Sequence, residues 1–198
     1  MRLDSIVWEW HDRRGLEHLE LWTFADGMKA DGLIVVDGED GVIRLRYSIF
    51  FQSEGRLRRC GIFVPVGTIQ KSIRLSLESN GSWMVDGVPR QDLCGCVAFD
   101  IMDTPLPKTP IVKKLCLDEN ESKTLWVAYI DNRRLVVSAV EQEWVRLPSC
   151  LQGLQHFRCT SSLGVFEFDV DGDFLIHFCP QRWRIRSVPS QFIDPNEP

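Results

Sequence analysis

The stretch of the chain with the most chemical potential is Leu93-Cys-Gly-Cys-Val-Ala-Phe-Asp-Ile101. Read as a strand, it puts Cys94, Cys96, Ala98 and Asp100 on one face and Leu93, Val97, Phe99 and Ile101 on the other. Two thiols on one face suggest a thiolate metal site. No second Cys or His pair at close spacing completes four ligands, however, so no metal is expected. A bridge between Cys94 and Cys96 would be strained. The plainer role is a face of small residues that leaves room for something large opposite. A carboxylate on such a face, Asp100, is either water-facing or held by a partner, for which Arg44, Arg46 and Lys113 are candidates. It then serves as one half of an ion pair or as a polar group that orients a ligand in an apolar cavity.

Other constellations carry less. G-x-S-x-G, H-E-x-x-H and glycine-rich phosphate cradles are missing from the sequence, so no catalytic residue is named and no cofactor is expected. The histidines at 11, 18, 156 and 177 fall singly on different elements. His177 lies between Leu175 and Cys179 on one strand face, where it could line a cavity or simply support the structure. Asp169-Val-Asp-Gly-Asp173 looks like the start of a calcium loop but lacks the downstream Glu, which leaves a hairpin turn. The basic clusters Arg56/Arg58/Arg59, Lys113/Lys114 and Arg182/Arg184/Arg186 suit anionic head groups as well as they suit solvated strand faces. Seven tryptophans suit an aromatic-lined site or a plain core.

The elements that must position these residues show a period of two. Ile43, Leu45, Tyr47, Ile49 and Phe51 alternate with polar residues, as do Ile69, Ile73, Leu75 and Leu77, and later Phe166, Phe168 and Val170. Each row reads as a half-buried antiparallel strand. Turn pairs such as Asn80-Gly81, Asp86-Gly87 and Asp171-Gly172 punctuate them. With further candidates, among them 93–101, 111–117 and 173–179, about a dozen strands are expected and no long helix. The fold class is therefore all-β: a large antiparallel β-barrel or β-roll of two similar halves around an internal cavity. The proline-rich segment Asp103–Pro110 forbids regular strand pairing and divides the chain nearly in half. Residues 1–187 are expected to form one barrel-like domain, followed by a flexible Pro-rich tail, 188–198.

Composition sets the outer limits. The 198 residues bury enough surface for a core without staples. A net charge of −5 argues against a nucleic-acid partner. There is no run long enough for a signal peptide or an integral membrane segment. Seven scattered cysteines, at 60, 94, 96, 116, 150, 159 and 179, are not a disulfide framework. A cytoplasmic protein with reduced thiols is expected.

A longer pattern also stands out. Leu93-Cys-Gly-Cys96, Asp100, Thr104-Pro105 and Thr109-Pro-Ile-Val-Lys-Lys-Leu115 resemble the central signature of the putative glycolipid-binding family. Arg46-Tyr47, Gly81-Ser-Trp83, Val127-Ala-Tyr-Ile130, Gln142-Glu-Trp-Val-Arg-Leu147 and Phe166–Asp171 follow the family's order on either side. Ala98 stands at the first of two usual aspartates, Lys108 at an asparagine, and Lys113/Lys114 at an arginine pair. Lysine keeps the charge of that pair but loses the bidentate fork. The resemblance implies a β-barrel-like roll similar to lipid carriers and a non-catalytic role in binding a small lipid or glycolipid. The residues expected to contact such a ligand are Tyr47 on an apolar strand face, Asp100, Thr104, Gln142 and Arg146 at its polar end, and His177. An enzyme using Asp100 or His177 as acid or base, or a partner-binding protein with a filled core, are the alternatives. The oligomeric state is not legible.

Overall fold

Period-two rows become strands through nearly the whole chain, in a computed structural model that describes residues 2–38, 41–52, 55–149, 151–173, 175–180, 182–187 and 190–191. An up-and-down meander comes first: β1 (Arg2–Trp10), β2 (Gly15–Phe24), β3 (Gly27–Gly38), β4 (Gly41–Gln52), β5 (Leu57–Val66), β6 (Ile69–Leu77), β7 (Trp83–Val85) and β8 (Val88–Pro89). A second follows: β10 (Ser122–Asp131), β11 (Val136–Leu147), β12 (Gln155–Ser161), β13 (Gly164–Val170), β14 (Ile176–Cys179) and β15 (Trp183–Ser187). β9 (Ala98–Ile101) lies parallel beside β10. β15 returns antiparallel to β1, with Trp183 opposite Trp10, and so welds the two meanders into one sheet. Short β16 (Ser190–Gln191) adds a pairing to β1; the rest of the expected tail, and Cys150, lie outside the described residues. Among the described residues sixteen strands stand where about a dozen were expected, the surplus being short pieces such as β7, β8 and β16.

The sheet surrounds one apolar core. Inward parity is plain in β4, where Leu45, Tyr47, Ile49 and Phe51 are buried and the residues between them are more exposed. Trp8, Trp144, Trp183, Phe157 and Phe168 are the largest side chains fully buried. The Phe168 ring stacks on Phe157 and meets Trp144 edge-on, geometries that add to simple burial. The sheet does not close. Its two edges, β8 and β9, come from the middle of the chain and share no ladder, leaving a seam between them.

Two expectations fail at this seam. The 93–101 stretch is a strand only over β9. Gln91–Leu93 forms a 3₁₀ turn, and Gly95 adopts φ +94°, a left-handed conformation that breaks any strand there. Cys94 and Cys96 therefore do not share a strand face with Asp100; Cys94 is exposed and Cys96 buried. The expected strand 111–117 is instead the helix α1 (Lys108–Leu115). Its prolines explain the change. Pro107 sits at the N-cap with φ −63°, and Pro110 lies in the first turn, where an N–H has no intrahelical partner to lose. The residues that forbid a strand thus start a helix. Cys116, at φ +47°, ends it, and its N–H bonds the Val112 carbonyl.

One glycine sets a long reach across the sheet. Gly32 of β3 lies opposite Tyr47 of β4, and on its other side opposite Leu19 of β2. A Cβ on Gly32 would come within 2.1 Å of the Tyr47 ring. Without it, the phenol crosses β3 and bonds Glu17 of β2. Gly32→Ala should force the ring aside and lower stability by about 1–3 kcal/mol, as overpacking does. The urea midpoint should fall with the slope unchanged, and an unmoved midpoint would show that the ring has room to shift.

Candidate functional site

The functional candidate is the seam, and its geometry is set by the segment from β9 to α1. Three buried polar clusters pin that segment. In the first, the Lys108 ammonium contacts both Asp100 oxygens, at 2.8 and 2.9 Å. Asp100 also accepts from Gln142 Nε2 at 3.1 Å and from the Ile101 backbone N–H. Gln142 Oε1 in turn accepts from the Trp144 indole. In the second, Tyr47 and Thr104 both donate to Glu17 Oε1, and Thr104 Oγ1 accepts from the Leu106 N–H. In the third, Asp103 accepts from Asn132 Nδ2 at 2.9 Å and faces the guanidinium groups of Arg133 and Arg13. Asp100, Asp103, Thr104 and Glu17 are each at most 2% exposed. Buried groups of this kind are tolerated only when paired.

Glu17 resolves the same constraint differently. Among the described residues no cation bonds it, and Oε2 has no hydrogen-bond partner. Burial raises its carboxyl to about 8, against the lowering effect of the bonds from Tyr47 and Thr104. The acid is therefore neutral at pH 7, with Oε1 as the accepting carbonyl oxygen. Burial, and then the nearby Glu17, hold the Tyr47 phenol well above its ordinary range as well.

Two spaces adjoin the pinned segment. The larger is a cleft of about 510 Å³ in the seam itself. Its walls are Leu57, Leu77 and Trp83 from one edge, Val97, Ala98 and Phe99 from the other, and Pro107, Pro110 and Ile111 under α1. Arg56, Lys113 and Lys114, all exposed, stand at its mouth. The Trp83 indole crosses the seam to donate to the Cys96 carbonyl at 3.0 Å. The smaller is a pocket of about 110 Å³ beside Asp100, bounded by Lys108, Tyr129, Gln142, Ser161, Arg182 and Trp183 among others.

The six residues expected to meet a ligand separate into three groups. Asp100 and Gln142 come together at the small pocket, bonded to each other; the partner of Asp100 is Lys108, and none of Arg44, Arg46 and Lys113 pairs with it. Tyr47 and Thr104 come together at Glu17. Arg146 and His177 stand apart: Arg146 donates to the Leu117 carbonyl, and His177 pairs with Asp171 at 2.9 Å. Asp171 also caps its own turn by accepting from Asp173 and Leu175 N–H groups, so this acidic stretch is the expected hairpin turn. Sequence reasoning passes over Glu17 and marks Lys108 only as a departure from the family pattern. Glu17 shares the inward parity of Leu19 and Leu21 in β2, a signal open to reading. Lys108 lay in a segment assigned no regular structure, and its position follows only from the helix.

Fold and seam together define a β-barrel-like protein with an unclosed edge. The family model described as "Putative glycolipid-binding" matches residues 5–185, and the chain belongs to that family. Among solved structures, the fold is similar to a DUF1089 family protein from Pseudomonas aeruginosa. The TM-score is 0.71 at 21% identity, covering 85% of this chain and 91% of that one. It is also similar to a β-barrel-like protein of domain of unknown function DUF1849 from Brucella abortus. There the TM-score is 0.61 at 11% identity, covering 96% and 97%. At such identities the likeness speaks for the fold alone. No protein of curated function matches the chain. Among the described residues, no helix is long and apolar enough to cross a membrane.

Two outcomes follow from the buried clusters. Asp100→Asn leaves the Lys108 ammonium buried without its counter-charge and should cost about 3–5 kcal/mol in urea unfolding. Adding Lys108→Met should recover part of that loss, and strictly additive losses would argue against the pair. For Glu17, an unfolded chain releases the proton above pH 4.5 while the folded one keeps it to about pH 8. The folded state thus binds more protons across that window. The contribution is fully present below pH 4.5 and is lost as pH rises to about 8. Glu17→Gln should remove this decline from a pH series of denaturation midpoints.

Proposed function

We propose that the protein binds a lipid-like or glycolipid-like small molecule, without catalysis, and holds the apolar part of it in the seam cleft. The observation that carries this reading is the cleft itself. Its volume of about 510 Å³ lies in the range of small-molecule sites, and its walls are overwhelmingly apolar. Membership of the glycolipid-binding family supports the same class of ligand. Arg56, Lys113 and Lys114 at the mouth would meet the polar end, each as a charge at the boundary between apolar wall and water. Tyr47, Thr104, Asp100 and Gln142 would serve by holding the cleft's frame in place, since their polar atoms bond one another. His156 and His177, each paired with an aspartate, do not line the cleft.

The cleft predicts a dependence on chain length. Affinity for a series of alkyl ligands should rise by about 0.8 kcal/mol per methylene until the space is filled. Val97 is 52% exposed and lines the cleft, so Val97→Glu should preserve folding yet weaken binding at least tenfold in a fluorescent-lipid displacement assay. Val165→Glu, at a similarly exposed position away from the cleft, is the control. Equal binding by both variants would sink the seam as the site.

A further inference from the structure

The small pocket beside Asp100 has a donor and acceptor inventory that points one way. Its acceptors are already occupied. Asp100 takes four hydrogen bonds, from Lys108 twice, Gln142 and Ile101. Gln142 gives Nε2 to Asp100 and Oε1 to Trp144. Its donors are not. Trp183 is 1% exposed, and its Nε1–H has no partner. Arg182 bonds the Met102 carbonyl through one nitrogen and stacks over Phe166 and Trp183, which leaves further N–H groups. Ser161 accepts from the Leu163 N–H, so its hydroxyl proton is available. The hydroxyl of Tyr129, lateral neighbour of Asp100 in the ladder, makes no hydrogen bond among the described residues. Burial first, and the Asp100 charge next, raise its phenol, which keeps it a donor.

Charge agrees with this inventory. Lys108 and Arg182 line the pocket against the single carboxylate of Asp100. A neutral polyol would have to donate to acceptors that are already engaged, whereas an oxyanion needs only to accept. Donors line the pocket from Tyr129 of β10, Ser161 of β12, and Arg182 and Trp183 at the start of β15, more than the two oxygens of a carboxylate need and a closer match to a tetrahedral group. We propose that this pocket, of about 110 Å³, binds a compact tetrahedral oxyanion of the phosphate type, free or at the end of a larger molecule. Asp100 and Gln142 act as positioning residues, holding Lys108 and the pocket wall. The proposal is independent of the seam cleft.

Calorimetric titration of the full chain with inorganic phosphate, dodecyl phosphate and dodecyl glucoside tests it. Saturable binding of inorganic phosphate identifies a free anion as sufficient, and binding of dodecyl phosphate alone, if Val97→Glu retains it, identifies a head group; either outcome supports the pocket. Tyr129→Phe retains the ring and should weaken phosphate binding about tenfold, while Arg182→Gln should weaken it more. Because Arg182 also packs on two rings, the melting temperature of that variant is measured in parallel, and Tyr129→Phe with Ser161→Ala provides a second route with little packing change. Val97→Glu should bind phosphate as the parent does, so loss of the seam reading leaves this one standing. The proposal is overturned if neither phosphate binds, if dodecyl glucoside binds Val97→Glu as tightly as the phosphates do, or if phosphate binding survives Tyr129→Phe and Ser161→Ala together.

Discussion

The buried contact between Asp100 and Lys108 is the constraint on which the seam depends. It joins the last edge strand to the first residue of the helix, with both side chains nearly excluded from water. Such a pair adds little net stability relative to apolar residues of the same shape, yet is strongly destabilising when half removed. Its value here is positional. A four-residue strand and an eight-residue helix are short elements that pack on one side of a gap. The ion pair, the Asp103 cluster and the Thr104 contact to Glu17 fix them at three successive points along the chain. The points reach different parts of the fold, Gln142 of β11, the turns after β1 and β10, and Glu17 of β2, so displacement of the segment would leave several buried polar groups unmatched at once.

The seam also follows from sheet geometry. A sheet of this many strands leaves an opening that side chains cannot fill unless something else enters it. Here the opening is covered by α1 and the 3₁₀ turn rather than by another strand. The prolines from 105 to 110 exclude a ladder there and suit the first helical turn. The Trp83 bond to Cys96 crosses the gap without closing it. Apolar surface is therefore left between two edges, with three cations at its rim.

How much of this was legible in the sequence varies with the kind of signal. Strand rows such as that of β4 were legible because half-burial writes itself as alternation, and the family signature was legible because its residues recur in order. The 111–117 segment was misread because Ile111, Val112 and Leu115 fit a short apolar strand as well as one helical face, and the deciding feature lay in the prolines before them. Gly95 similarly turned the cysteine face aside. Asp100 is legible as a carboxylate that needs water or a partner, but the candidates the pattern offers are strand residues, whereas Lys108 reaches it only because the helix brings it back eight positions later. Glu17 had the right parity to be noticed. Its neutral state, however, arises from burial, against the pull of the Tyr47 phenol that crosses Gly32 to reach it, and no local pattern encodes that three-strand arrangement.

The pairing of β15 with β1 has a consequence for how the protein comes into being. Most ladders in this sheet join strands adjacent along the chain, which close at low entropic cost and form early. The pairings of β1 with β15 and β16 are the exceptions, and the Trp10–Trp183 register joins residues separated by nearly the whole described length. During synthesis the first meander must wait with β1 as an unpaired edge until the final large strand emerges, and unpaired edges invite association between chains. Completion of the core, including burial of Trp183 between the two meanders, is thereby tied to the last step of assembly. The weld that makes one sheet of two is also the point at which a nascent chain is most exposed to its neighbours.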